Sequence, residues 1–227
     1  MLRARYALVR ERIAAAAERA GRDASGVTLV AVSKTWPAHV LQEAAAAGVR
    51  VFGENRAQEL KEKVAVLGEE DVRWHFVGPL QSNKVRAVVG VAELVHSVDR
   101  YGLAEAIARR ARSIGIVQDV LVEVNVGGEP TKHGVEPAAA AAFVAEISAL
   151  DGIRVRGLMA IPPQTPDPET VRPYFRDLAA LRDLVRATVP GAAELSMGMS
   201  GDFEQAVEEG ATIVRVGEAI FGPRRAG

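Results

Sequence analysis

The chain has 227 residues, 48% hydrophobic and 25% charged, enough to bury a substantial core as one large domain or two small ones. Lys plus Arg (28) nearly balances Asp plus Glu (29), and a net charge of -1 gives no reason to expect nucleic acid as a partner. No apolar run approaches the roughly 18 residues of a membrane span, the opening MLRARYALVRER is too charged for a signal peptide, and with no cysteine there is no disulfide framework or thiol chemistry; a cytoplasmic protein is expected.

Leu2, Tyr6, Val9, Ile13 and Ala17 recur at helical spacing, so the chain opens with an amphipathic helix. VTLVAVS follows as a buried strand. Pro37 suits the first position of a helix that carries Val40, Leu41 and Ala44 on one face and stops at Gly48. VRVFGE and the helix NRAQELKEKVAVLG come next, then WHFVG with a helical QSNKVRAVVG. AELVHSV is a fourth strand, after which Asp99 is expected to cap a helix. VQDVLVEVNV is a fifth, followed by PAAAAAFVAEISAL, and IRVRGLMAI a sixth. A helix from near Thr170, with Val171, Phe175, Leu178, Leu181 and Val185 on one face, ends at Pro190 and Gly191. AELSMGM, the short helix GDFEQAVEEG and ATIVRVG complete the series. Eight strands alternating with helices predict one (β/α)8 TIM barrel over residues 1–227, with an extra N-terminal helix. A doubly wound sheet is the alternative, but the first turn, SKTWP, lacks the glycines of a dinucleotide-binding turn.

A barrel of this kind carries its site at the C-terminal strand ends. These read SK, GEN, VGPLQSNK, HSVD, NVGGEPTKHG, MAIPP, SMGMSGD and RVGEAIFG. Turn preference accounts for most of their glycines and prolines, but not for charges within strands. Strand parity groups Thr28, Val30, Val32 and Lys34 on one face, Ile213, Arg215 and Gly217 on another, and sets Leu121, Glu123 and Asn125 opposite an all-valine face. The valine faces suit packing against helices, so Lys34, Glu123, Asn125 and Arg215 are expected to point inward. For Glu123 the simpler expectation is an interior ion pair with Arg215 or Lys34.

A lysine in low dielectric beside a fixed cation loses basicity and becomes the neutral amine that a carbonyl requires. The SMGMSGD turn, with Gly198, Ser200 and Gly201, leaves backbone N–H groups and room for a phosphate, and Gly217 lets a second segment approach. An aldehyde that also bears a phosphate is indicated, and pyridoxal 5'-phosphate has both features.

With those residues in view, the chain resembles the YggS/PROSC pyridoxal-phosphate homeostasis proteins. The similarity runs over about residues 27–221, through VAVSKTWP, FGENRAQE, WHFVGPLQSNK, HSVDR, VNVGGEPTKHG, GLMAIP, LSMGMSGDFEQAVEEGAT and VRVGEAIFG. The resemblance implies the barrel of alanine racemase (PLP fold type III) without that enzyme's β-domain. Lys34 matches the lysine that forms a Schiff base with the cofactor. Ser200 and the backbone of Gly201, Gly217 and Glu218 match phosphate contacts, Arg215 matches the arginine on the pyridine nitrogen, and Asn55 and His96 match positions near the cofactor. Glu218 departs from the pattern, since Thr or Ser is frequent there in relatives. Glu123 stands where a glutamine is expected.

Two functions compete: a carrier that buffers or delivers the cofactor, and an amino-acid racemase. Racemisation needs a proton donor on each face of the bound substrate. Lys34 serves one; for the other, Tyr6, Tyr101 and Tyr174 all fall in predicted helices, leaving His96 as a stand-in and Lys84 and Arg86 as the available carboxylate clamp. Arginine donates to a ring nitrogen but does not protonate it, which weakens the ring as an electron sink. The carrier is therefore expected, as a monomer, with PLP-dependent apoenzymes as possible recipients. A lysine aldolase would share Lys34 and the phosphate turn but leaves Arg215 unexplained. His39, His75, His96 and His133 show no metal-ligand spacing. The polar EPTKHG segment is expected to be a surface loop, with contact to recipient enzymes as its sharper reading.

Overall fold

The computed structural model describes residues 1–68, 71–129 and 131–223. Eight parallel strands close into a barrel in sequence order, which excludes the doubly wound alternative. They are β1 (Thr28–Val32), β2 (Val51–Glu54), β3 (Arg73–Phe76), β4 (Leu94–Val98), β5 (Gln118–Glu123), β6 (Ile153–Met159), β7 (Glu194–Ser196) and β8 (Ile213–Val216). The helices are α1 (Leu2–Arg19), α2 (Ala38–Ala46), α3 (Ala57–Leu67), α4 (Val85–Val88), α5 (Tyr101–Ser113), α6 (Pro137–Ser148), α7 (Arg172–Thr188), α8 (Phe203–Glu208) and α9 (Glu218–Phe221). The first, α1, is the extra N-terminal helix and lies against α8 and α9.

Every strand is shorter than its apolar run in the sequence. Hydrogen-bonded pairing stops where the chain must turn outward to its helix, whereas hydrophobicity continues a residue or two into the loop. Two helical expectations change. QSNKVRAVVG forms a 3-10 turn at Ser82–Lys84 and a single α-turn, α4, not a full helix. Arg100, not Asp99, occupies the N-cap of α5; Asp99 instead pairs with Arg100 at 2.6 Å and with His133 at 3.4 Å. Pro37 sits one position earlier than expected, as the N-cap of α2.

Two apolar layers form. The larger lies between sheet and helices. The smaller plugs the barrel interior with Val30, Val51, Leu94, Leu121, Met159 and Ile213. Full burial of such a side chain is worth about 1.5–3 kcal/mol. The plug contains the predicted inward faces of β1, β5 and β8, which confirms their parity. Above it the interior turns polar. Gly217 is required at the end of β8, because a Cβ there would sit 3.0 Å from the Val32 carbonyl oxygen. Gly198 has φ +90°, and a Cβ on it would meet Ala206 at 2.5 Å, so the turn after β7 closes tightly on α8.

Candidate active-site mouth

At the C-terminal end of the barrel lies a cavity of about 420 Å³. Lys34 and Trp36 line it from the turn after β1, Asn55 from the end of β2, and Ser200 and Gly201 from the turn after β7. Arg215 comes from β8 itself, and Gly217 and Glu218 from the start of α9. Seven of the eight predicted binding residues thus share one cavity; the eighth, His96, does not line it. Val77, Pro79, Ile161, Gln164 and Met199 also line it; an apolar residue in a loop carries no chemical signal in sequence, and a single loop glutamine reads as a solvated turn residue.

Lys34 lies two residues beyond β1 and is half-buried. Arg215 is 4% exposed, at the base of the cavity. Its guanidinium donates to the Ser196 hydroxyl at 2.6 Å and to the Ala160 carbonyl at 3.0 Å. Burial lowers its pKa to about 10, against the fields of Glu123 and Asp202, so it is a cation at neutral pH.

His96 stands behind Arg215. It meets Ser196 Oγ at 2.9 Å through Nδ1 and His75 Nδ1 at 3.0 Å through Nε2. Arginine only donates, so the Ser196 oxygen accepts from Arg215. Of the two neutral rings, one donates and the other accepts in the His96–His75 bond. Burial, then the neighbouring His75 and Arg215, holds His96 well below the usual imidazole range. Burial, then Arg73, brings His75 to about 3. Both rings are neutral, and the row orients the arginine from beneath.

Glu123 does not form the expected pair with Arg215. The two act on each other through space only, and burial followed by the Asp99 charge raises the Glu123 pKa. Asn125 turns to the Glu129 carbonyl at 3.0 Å, a loop contact and not a cavity one. Asp202, beside the Ser200 turn, accepts from the Met199 N–H at 2.6 Å; burial raises its pKa. Ser200 Oγ accepts from the Ala219 N–H at 3.3 Å, tying the turn after β7 to the start of α9. Lys84 lines a neighbouring cavity of about 480 Å³ with Arg56, Arg100 and His133, and Arg86 lines neither. Of EPTKHG, Pro130 lies outside the described residues; Thr131 and His133 are exposed, as expected for a surface loop. Among the described residues, no group of three or more His, Asp or Glu could hold a metal ion, and no helix is long and apolar enough to cross a membrane.

A half-buried lysine, a buried arginine and a glycine-bordered turn gather on one mouth of a TIM barrel. The chain matches the alanine racemase N-terminal domain family over residues 6–225. It is 50% identical over 222 residues, 97% of each chain, to the pyridoxal phosphate homeostasis protein of Aquifex aeolicus. The protein of that name from Escherichia coli is 41% identical over 223 residues, covering 96% of this chain and 94% of that one. Among solved structures it is similar to PipY of Synechococcus elongatus with PLP bound, at TM-score 0.86, 37% identity and 98% and 100% coverage. Alanine racemase from Corynebacterium glutamicum superposes with TM-score 0.69 at 17% identity, this chain covering 61% of that longer one, a likeness of fold alone. The chain belongs to the family of pyridoxal phosphate homeostasis proteins.

Proposed function

We propose that this protein binds pyridoxal 5'-phosphate at the barrel mouth through Lys34 and serves its intracellular homeostasis, holding and releasing the cofactor without turning over a substrate. The observation that carries this is the convergence of Lys34, Arg215, Ser200, Gly201 and Gly217 on one cavity. The residues fit the group. Asn55 Oδ1 is buried at the cavity with no hydrogen-bond partner, so a polar ligand has a place to bond. A Cβ on Gly201 would meet nothing within 4 Å, which leaves open space at the turn. Lys34 would hold the aldehyde carbon, Arg215 the ring nitrogen, and Ser200 with the N–H groups of Gly201, Gly217 and Glu218 the phosphate. When bound, the group supplies a carbonyl and a conjugated ring. The chain's part is to bind and orient it.

A non-catalytic role is supported by what faces the cavity. Tyr6, Tyr101 and Tyr174 lie in α1, α5 and α7, and none lines the cavity. His96, the stand-in for a second proton donor, is committed to Ser196 and His75 and is fully buried. We read the protein as a single-barrel, cytoplasmic monomer, and the exposed loop at Thr131 and His133 as the face offered to PLP-dependent apoenzymes. The deciding experiment is a spectroscopic titration with pyridoxal 5'-phosphate. Wild-type protein should gain a yellow band that Lys34→Ala abolishes, with no racemisation of alanine above that of free cofactor. An unchanged titration in Lys34→Ala would overturn the attachment; sustained racemisation would restore the enzyme reading.

A further inference from the structure

The turn that carries Lys34 is held from outside the barrel. Before Lys34, Ser33 Oγ donates to Glu54 Oε1 at 2.5 Å, and the Ser33 carbonyl accepts from Lys63 Nζ at 2.8 Å. After it, the Thr35 N–H donates to Glu59 Oε2 at 2.9 Å. Lys63 closes the ring, reaching Glu54 Oε1 at 2.6 Å and Glu59 Oε2 at 3.0 Å. All three donors of one ammonium are used, and both peptide units flanking Lys34 are tied to β2 and α3.

This arrangement is costly as a stability device. Lys63 is 5% exposed and Glu54 fully buried, and a buried ion pair often contributes less than an apolar pair of the same volume. Glu54 Oε2 has no partner. Burial raises the Glu54 pKa against the pull of Lys63 and Ser33. Thr35 has φ +70°, alone in this respect among the described non-glycine residues. Such backbone is strained and persists where its surroundings over-determine it. Strain and buried charge coincide on the two residues beside Lys34.

We propose that Lys63, with Glu54 and Glu59, is the positioning residue for Lys34: it fixes the turn so that the Lys34 side chain enters the cavity in one orientation. This rests on the reading of Lys34 as the attachment residue. Lys63 itself is a buried residue of α3, on the outer side of the sheet, and does not line the cavity.

The test compares Lys63→Met/Glu54→Gln, which replaces the buried pair by a neutral one of similar shape, with Glu59→Ala on a partly exposed helix position. Two readouts are used. The first is the Thr35 amide exchange rate in cofactor-free protein. The second is the rate at which added pyridoxal 5'-phosphate produces the Lys34-dependent band. The double variant should exchange Thr35 faster and attach the cofactor about tenfold more slowly, within the ~100-fold that a 1 Å misplacement of a reacting group can cost. Glu59→Ala should show both effects, attachment slowing about threefold on the same scale. Glu54→Gln alone keeps the acceptor for Ser33 and Lys63 and should restore most of the rate. Arg154→Leu, which breaks the pair with Asp119 at the opposite end of the barrel, should lower Tm without altering either readout. Wild-type attachment and exchange in the double variant overturn the proposal. If that variant does not fold, Glu59→Ala with wild-type values does so by itself. A wild-type chain without a Lys34-dependent band overturns the attachment reading instead, and Thr35 exchange then decides the clamp.

Discussion

Two charged networks, one inside the molecule and one on its flank, show how differently the same residue types are used. On the flank, α8 is gripped between α1 and α7. Arg12 and Arg19 reach Glu204 and Glu208 from one side, and Arg172 and Arg176 reach Glu169, Glu208 and Glu209 from the other. Eight charges there face solvent to varying degrees. Inside, the rows His75–His96–Ser196–Arg215 and Lys63–Glu54–Ser33 contain fewer charges and almost no exposure. Exposed pairs are screened and contribute little each. Buried ones are expensive to break and fix geometry, and both interior rows end on a residue of the cavity, Arg215 or the turn of Lys34.

Replacing Arg215 should separate the two networks most sharply. Arg215→Met leaves the Ala160 carbonyl and Ser196 without their donor, at a cost of about 1–3 kcal/mol. It should also weaken cofactor retention by tenfold or more, as loss of a hydrogen bond to a charged group implies. Equilibrium dialysis and thermal melts check both; unchanged retention would mean that Arg215 does not reach the ring.

Acid should find the interior row next. His75 is held at about 3 and His96 well below 6.5 by burial, so the unfolded chain binds protons that the folded chain refuses. Stability from these depressed values is fully present above pH 6.5 and declines as pH falls toward the folded values, by about 1.4 kcal/mol per pH unit for each ring. Melts between pH 7 and 4.5 should show this, and His75→Asn should make the decline shallower. An unchanged slope would remove His75 from the account.

The flank should respond less. Arg172→Leu is expected to cost about 1 kcal/mol or less, roughly 2–4 °C in Tm, while the cofactor titration stays as in wild type. A change in that titration would show the flank network coupled to the mouth. Least of all, Glu218→Thr removes an exposed carboxylate from the end of the cavity proposed to take the phosphate. Affinity should rise about two- to fivefold at low salt and return toward wild type at high salt. A fall would place that side chain in a binding role.

Much of the site was legible before folding. Lys34 and Arg215 stood out because a charge at the end of a β-branched run contradicts its surroundings, and parity assigned them a face. Glu54 carries the same signal at the end of VRVFGE, but it sits on the outward parity of β2, where polar residues are unremarkable until a helix covers them. Its partner Lys63 lies in a charged helix, QELKEK, whose pattern does not distinguish a buried lysine from Lys61 beside it. His96 was placed near the ring by resemblance. Its commitment to His75 and Ser196 depends on β4 meeting both its neighbour β3 and β7 from across the barrel.

The sequence by itself determined the strand–helix alternation and the inward faces of β1, β5 and β8. Both are local, since side-chain direction repeats every two residues along a strand and every 3.6 along a helix. Only the tertiary structure decided which polar groups meet. Closure of the ring and the stagger between strands set whether Glu123 reaches Arg215, whether His96 stands before or behind it, and that Lys63 arrives beneath the turn of Lys34. Partner choice across a barrel is a property of register, and register is shared among all eight strands.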